Sequence, residues 1–297
     1  MDTVWTLLGI ALIALALRDI FDVLFHPRGR GVLARQIVRG ISEVSRRLAP
    51  RGRPTRLLAG PLSYIAVVAA WAALLAVGWA LVFLPHLPEG FTFDPGLDPR
   101  QHSGFADALY VSLVNLTSLG YGDIAPASSL LRMLGPVETM FGLGLLTASL
   151  SWLISIYSSI SRRDSLAHEV HLAKEAEESL GEKLADGDPD LLERLLASFT
   201  EQLIAARRDL IHFPIVHYFR TEDEERALSG LLPFLASLVE EASEEGRPHA
   251  LRVRAEMLRM AIDDFAETLR VRLRMPGEST DAVLEHYQRE HGLKPSA

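Results

Sequence analysis

Two long stretches of the chain are almost free of charge. Residues 57–88 hold no Asp, Glu, Lys or Arg, and residues 133–160 hold only Glu138. Each exceeds the ~20 residues a helix needs to cross the hydrocarbon of a bilayer, and soluble core helices seldom sustain such runs, so both are read as transmembrane helices. A third apolar stretch, residues 4–25, is interrupted by Arg18, Asp19 and Asp22 near its end. It is expected to be a retained membrane helix that either spans or lies flat. Asp2 near the start and the lack of a small-residue cleavage pattern argue against a secretory signal. Arg18 and Asp22 stand one helical turn apart, where they either pair or mark the wet end of the helix.

The connection between the first and second apolar stretches carries Arg28, Arg30, Arg35, Arg39, Arg46, Arg47, Arg51, Arg53 and Arg56, against a single acid, Glu43. By the positive-inside rule it is cytoplasmic, which puts the N-terminus outside and everything beyond residue 160 in the cytoplasm of what the Arg-, Ala- and Leu-rich composition suggests is a bacterial inner membrane. Within it Val32, Ile37, Val38, Ile41, Val44 and Leu48 recur at near-helical spacing. An amphipathic helix on anionic lipid and a solvated basic linker both fit this pattern.

Composition changes the picture little. The 297 residues carry a net charge of -8, but that average hides an apolar first half and a polar second half. There is no cysteine, so neither disulfides nor thiolate metal sites contribute.

Between the two certain spans, residues 89–104 are rich in Pro, Gly and Asp and read as an exposed turret. Residues 105–117 follow as a short helix with Phe105, Leu109, Leu113 and Leu116 on an apolar track. A helix too short to span must end against protein or water, and the negative pole of its dipole favours a cation beyond its C-terminus. Next comes Thr117-Ser118-Leu119-Gly120-Tyr121-Gly122-Asp123, with Pro126 after it. Gly120 and Gly122 stand where a carbonyl-lined strand needs backbone angles that only glycine adopts cheaply.

Outer helix, short helix, Thr-Ser-Leu-Gly-Tyr-Gly-Asp and inner helix in this order resemble the pore module of the tetrameric potassium channels, whose usual filter reads Thr-Val-Gly-Tyr-Gly-Asp. The resemblance covers about a third of the chain. It implies an all-α membrane protein with an outer helix at 57–84, a re-entrant pore helix at 105–117, a filter at 118–122 and an inner helix at 129–160. A membrane helix at 1–26 and the basic linker at 27–56 precede the module, and an all-helical cytoplasmic domain at 161–297 follows it. It further implies that Ser118, Leu119, Gly120 and Tyr121 present carbonyls to K⁺, followed by Gly122, with the Ser118 hydroxyl as the innermost ring and Thr117 and Asp123 as support. Ser118 and Leu119 replace the usual Thr and Val. Tyr110 and Val111 stand where many members have paired aromatics, which implies altered packing behind the filter.

On the inner helix Gly142 matches a common hinge glycine, and Gly144 follows. Leu143, Leu146, Leu150 and Ile154 share one face, which together with Thr147 would line the cavity and form an apolar gate; ordinary helix packing is the alternative. Pro136 removes a backbone donor nearby and is expected to kink the helix. Glu138 is an intramembrane acid, expected to brace the filter by bonding Asn115 or Ser112. One filter per chain cannot close a ring, so a homotetramer is implied. No membrane span carries an Arg repeat of the voltage-sensing kind.

Residues 161–297 read as helices with breaks near 181–189, 213–214, 221, 246–248 and 276–277. Asp188-Pro189 and Thr221 with Glu224 look like helix starts. Leu192, Leu195, Leu196 and Phe199, and later Leu251, Leu258, Ile262, Phe265 and Leu269, supply buried faces. The acidic run 222–225 reads as a helix first turn. His168 with His171, and His212 with His217, are either ordinary histidines or, multiplied by assembly, a metal or proton sensor. Neither a nucleotide-binding glycine motif nor an EF-hand loop occurs. The expected function is passive K⁺ conduction by a homotetramer, gated or assembled through the tail. No cofactor beyond the transported ion is expected, nor any nucleic acid, and a ligand or protein at 161–297 is left open. A pore-fold receptor or scaffold that binds a signalling partner through the tail is the alternative. An enzyme is not expected, since no nucleophile, base and oxyanion constellation appears.

Overall fold

The computed structural model describes residues 2–25, 31–48, 58–220 and 227–291, with backbone alone at 46–48. The arginines at 28, 30, 51, 53 and 56, the Thr221 cap and the acidic run 222–225 lie outside the described residues. So do the side chains of Arg46 and Arg47.

Among the described residues the chain is helical apart from one short strand pair. The elements are α1 (Asp2–Leu24), α2 (Val32–Leu48), α3 (Ala59–Phe83), β1 (Phe91–Phe93), α4 (Phe105–Leu116), β2 (Ile124–Pro126), α5 (Ser129–Leu180), α6 (Pro189–His212), α7 (Leu228–Ala242), α8 (His249–Leu273) and α9 (Thr280–Glu290). Ala59–His86 and α5 are long and apolar enough to cross a membrane. The protein is an all-α membrane protein. Two compact units divide it, Met1–Arg39 with Tyr64–Ile154, and Gly40–Ser63 with Ser155–Ala297.

In the first unit α1 lies against α3 where two glycines meet. A Cβ on Gly9 would sit 2.4 Å from the Gly78 carbonyl oxygen, so only small residues let these backbones approach. α3 and α5 are joined by aromatic rungs: Trp71 and Tyr64 against Trp152 at 5.5 and 5.3 Å, and Trp79 against Phe141 at 6.0 Å. The Tyr64 hydroxyl also donates to the Ser149 carbonyl at 2.8 Å.

Arg18 and Asp22 do come together, at 3.8 Å, with Arg18 largely exposed. The acid between them does more. Asp19 is 5 % exposed and accepts the Leu33 and Ala34 amides at 2.9 and 3.1 Å, and the Trp71 indole N–H at 2.8 Å. A carboxylate of α1 therefore caps the start of α2 and anchors α3, where negative charge suits a helix N-terminus. Asp19→Ala strands three donors, each worth about 1–3 kcal/mol when buried without a partner, so a loss of several kcal/mol is expected on unfolding in mild detergent. Arg18→Ala removes an exposed ion pair and is expected to cost less than about 1 kcal/mol in the same assay.

In the second unit the later part of α5 packs with α6 to α9 around one core. Leu166, Val170, Leu192, Leu196, Phe199, Leu203, Leu232, Leu258, Phe265 and Leu269 are all buried there. The periodic positions read from the sequence are its walls, with Leu195 partly buried beside them. Asp188 caps α6 by accepting the Asp190 amide, with Pro189 in the first turn. The inner helix, expected to stop at residue 160, continues to Leu180. No Pro or Gly interrupts it after Gly144, Leu166, Ala167, Val170 and Ala173 keep one face buried, and Gly181 at φ 69° ends it. Two successive arginines of α5 grip the neighbouring helices. Arg162 makes a two-pronged contact with buried Asp209 at 2.8 and 2.9 Å. Arg163 donates to the Val216 and Phe219 carbonyls, at 3.1 and 3.0 Å, around the 3-10 turn Pro214–Tyr218.

Candidate functional site

The short helix α4 starts at Gly104, whose amide donates to Asp107 at 3.1 Å, while His102 lies 2.9 Å from the other oxygen of that carboxylate. At the far end the Thr117 hydroxyl donates to the Leu113 carbonyl at 2.7 Å, and the Ser118 and Leu119 amides turn back onto Asn115 and Val114 at 3.0 and 2.9 Å. The chain then leaves the helix with Ser118 at φ 60°, Gly120 at φ 61° and Gly122 at φ 82°, while Leu119 and Tyr121 between them keep ordinary negative values. Ser118 is one of two non-glycine described residues in this region of φ, a conformation that costs a side chain roughly 1 kcal/mol or more. Ser118 to Gly122 are exposed in the single chain, Tyr121 at 66 %.

Behind this strand Glu138 is fully buried. Both partners singled out from the sequence meet it: the Ser112 hydroxyl at 2.5 Å from one carboxyl oxygen, and the Asn115 amide nitrogen at 3.1 Å from the other. Ser112 also lies 2.9 Å from the Ala76 carbonyl of α3. Asn115 is the hub, because its own carbonyl accepts both the Ser118 amide and the Thr139 hydroxyl, the latter at 2.9 Å. Successive residues of α5, Glu138 and Thr139, thus hold the side chain and the backbone of the residue that anchors the start of the strand at 118–122.

At the other end the Tyr110 hydroxyl donates to Asp123 at 2.6 Å. The Asp123 carbonyl accepts the Asp94 amide at 2.9 Å, beside the antiparallel pairing of Phe91–Phe93 with Ile124–Pro126. The segment after α3 is therefore stitched to the strand that follows Asp123, and Phe91 is buried. Thr139 and this strand pair were missed in the sequence, and Tyr110 was singled out there without its bond to Asp123. Thr139 adjoins Glu138, which is the one signal that marks it, whereas three-residue strands show too little alternation to read.

Gly142 sits where α5 meets the end of α4: a Cβ there would lie 1.8 Å from the Leu116 carbonyl oxygen. The hinge expected at Gly142 and Gly144 concerns a second conformation; in this one α5 continues as helix through both, as it does through Pro136. Nothing lies within 4 Å of a Cβ at Gly144. Leu143, Leu146, Thr147, Leu150 and Ile154 form an exposed face on one chain, Leu146 at 68 %.

His168 is exposed, His171 lies 3.3 Å from Glu175, His212 bonds the Arg208 carbonyl, and His217 is buried beside Glu290. Among the described residues no group of three or more His, Cys, Asp or Glu is arranged to hold a metal.

Residues 66–159 match a protein-family model described as "Ion channel". Over 287 residues the chain is 23 % identical to the "Uncharacterized membrane protein YdjJ" of Bacillus subtilis (strain 168), covering 94 % of this chain and 82 % of that protein. No solved structure matches significantly. The protein is a membrane protein whose glycine-rich strand at 118–122, short helix and buried Glu138 all fall inside a segment similar to ion channels.

Proposed function

We propose that four copies of this chain form a K⁺-selective channel, with the carbonyls of Ser118, Leu119, Gly120 and Tyr121 and the Ser118 hydroxyl replacing the water shell of the ion. The observation that carries this reading is the alternation of backbone angles through the strand, positive at Ser118, Gly120 and Gly122 and negative at Leu119 and Tyr121. Alternation of this kind turns successive peptide carbonyls toward one edge, which makes a cation ladder out of a strand whose carbonyls would otherwise point to alternate sides. One such edge coordinates an ion from one side only, so a ring of copies is required. The exposed α5 face of Leu143, Leu146, Thr147, Leu150 and Ile154 fits the wall of a central cavity, and apolar rings there would close the pore by dewetting. The basic helix α2 fits anionic lipid on the cytoplasmic side, with the N-terminus outside. The tail assembles or gates the pore through α5, which leads directly into it.

Purified protein in liposomes loaded with K⁺ is expected to take up ⁸⁶Rb⁺, with block by Ba²⁺ and a mixed-ion reversal potential close to that of K⁺. Absence of flux from well-folded protein would overturn the channel reading in favour of a pore-fold receptor. A reversal potential midway between K⁺ and Na⁺ would leave a channel but remove its selectivity.

A further inference from the structure

The 3-10 turn Pro214–Tyr218 and the end of α9 enclose two histidines in contact. The rings of His217 and His291 stack with centroids 5.3 Å apart, and Tyr287 lies 4.6 Å from His291 and 5.9 Å from His217. Nδ1 of both histidines is buried without a hydrogen-bond partner among the described residues. Nε2 of His217 faces Glu290 at 3.2 Å. An imidazole stack of this kind accommodates one proton far better than two, because a second charge would sit desolvated against the first.

The charged surroundings sharpen the contrast between the two rings. Around the pair stand Arg163 and Asp164 from α5, Tyr218 and Arg220 at the turn, and His286, Tyr287 and Glu290 from α9. Burial works against the Glu290 charge, yet the His217 hydrogen bond and the charges of His217, His286 and Arg220 outweigh it and hold the carboxyl below its usual range, so a carboxylate faces the pair. Burial, then the charges of His217, Arg220 and Arg163, hold His291 well below the ordinary imidazole value of 6.5. The folded tail thus keeps His291 neutral, whereas an undocked α9 would let it take up a proton. Its contribution to docking is complete above that ordinary value and is lost as pH falls below it.

We propose that His217 and His291 form a proton-binding site, and that its protonation undocks α9 from the Pro214–Tyr218 turn. The carbonyls of Val216 and Phe219, which flank His217 and its neighbour in that turn, are the ones held by Arg163 of α5. Proton binding therefore acts on the segment that grips α5. Its consequence for conduction rests on the channel reading above, but the site itself does not.

The test is hydrogen exchange on the full chain in detergent, read as protection factors so that intrinsic pH effects cancel. Between about pH 7.5 and about pH 5.5 the amides of α9 are expected to lose roughly tenfold in protection in the wild type, and less than about twofold in His291→Phe, which keeps a stacking ring without a proton acceptor. Wild-type protection unchanged across this range overturns the proposal, and so does an equal loss in the variant. A second measurement needs no variant: histidine NMR titration of the wild type is expected to give His291 a midpoint well below the ordinary imidazole value of 6.5, and a midpoint at or above that value overturns the site. Both readouts work whether or not the pore conducts.

Discussion

Gly142→Ala is expected to reduce ⁸⁶Rb⁺ flux at least about tenfold, because the added methyl falls 1.8 Å from the Leu116 carbonyl oxygen, and α5 has to move away from the helix before the proposed filter. Overpacking of this kind commonly costs about 1–3 kcal/mol, and backbone is the least able of neighbours to give way. In the proposed ring of copies the same displacement recurs in every copy. Gly144→Ala, two residues along in open space, is expected to stay within about twofold of wild type. The comparison separates two roles for glycine on this helix. A flexible hinge would make both substitutions harmful, whereas close approach of two backbones makes only the first so.

Glu138→Leu is expected to be nearly as damaging, and by a different route. The substitution leaves the partly buried Asn115 amide nitrogen without its acceptor, at about 1–3 kcal/mol per copy, while the Ser112 hydroxyl keeps the Ala76 carbonyl. Asn115 also anchors the Ser118 amide, so the loosening reaches the first residue of the proposed filter. A tenfold or greater fall in sustained flux is expected, since each 1.4 kcal/mol corresponds to about tenfold in a two-state population. Glu138→Gln retains an acceptor for Asn115 and is expected to keep more than about half of the flux. Equal loss in both variants would assign Glu138 a role in which charge matters more than hydrogen bonding.

The helices of residues 57–144 and the strand between them were largely legible because their signals are local. Twenty or more uncharged residues mark a spanning helix, and two glycines at the right spacing mark a strand with left-handed backbone angles. Glu138 stood out for a similar reason, as one acid in a long apolar run, and its helical position pointed to Ser112 and Asn115. Asp19 was harder to place. It sits among other charges at a helix end, where an acid is unremarkable, and its three donors come from residues 33, 34 and 71. The length of α5 was misjudged because the sequence changes composition at residue 161 without changing its helical period. A change from lipid-facing to tail-facing surface alters which residues are apolar, not whether the backbone continues. The histidine pair was invisible for the plainest reason, since His217 and His291 are far apart in the chain and meet only when α9 folds back.

The Asp19 cap bears on how the protein can be shortened. A shortened chain beginning at α3 keeps residues 118–122 and both candidate spans, yet it discards the acceptor of the Trp71 indole and leaves a buried polar N–H without that partner. Any such truncation needs Trp71→Phe alongside it. The N-terminal helix is in this sense an internal part of the outer wall, supplied from a distance.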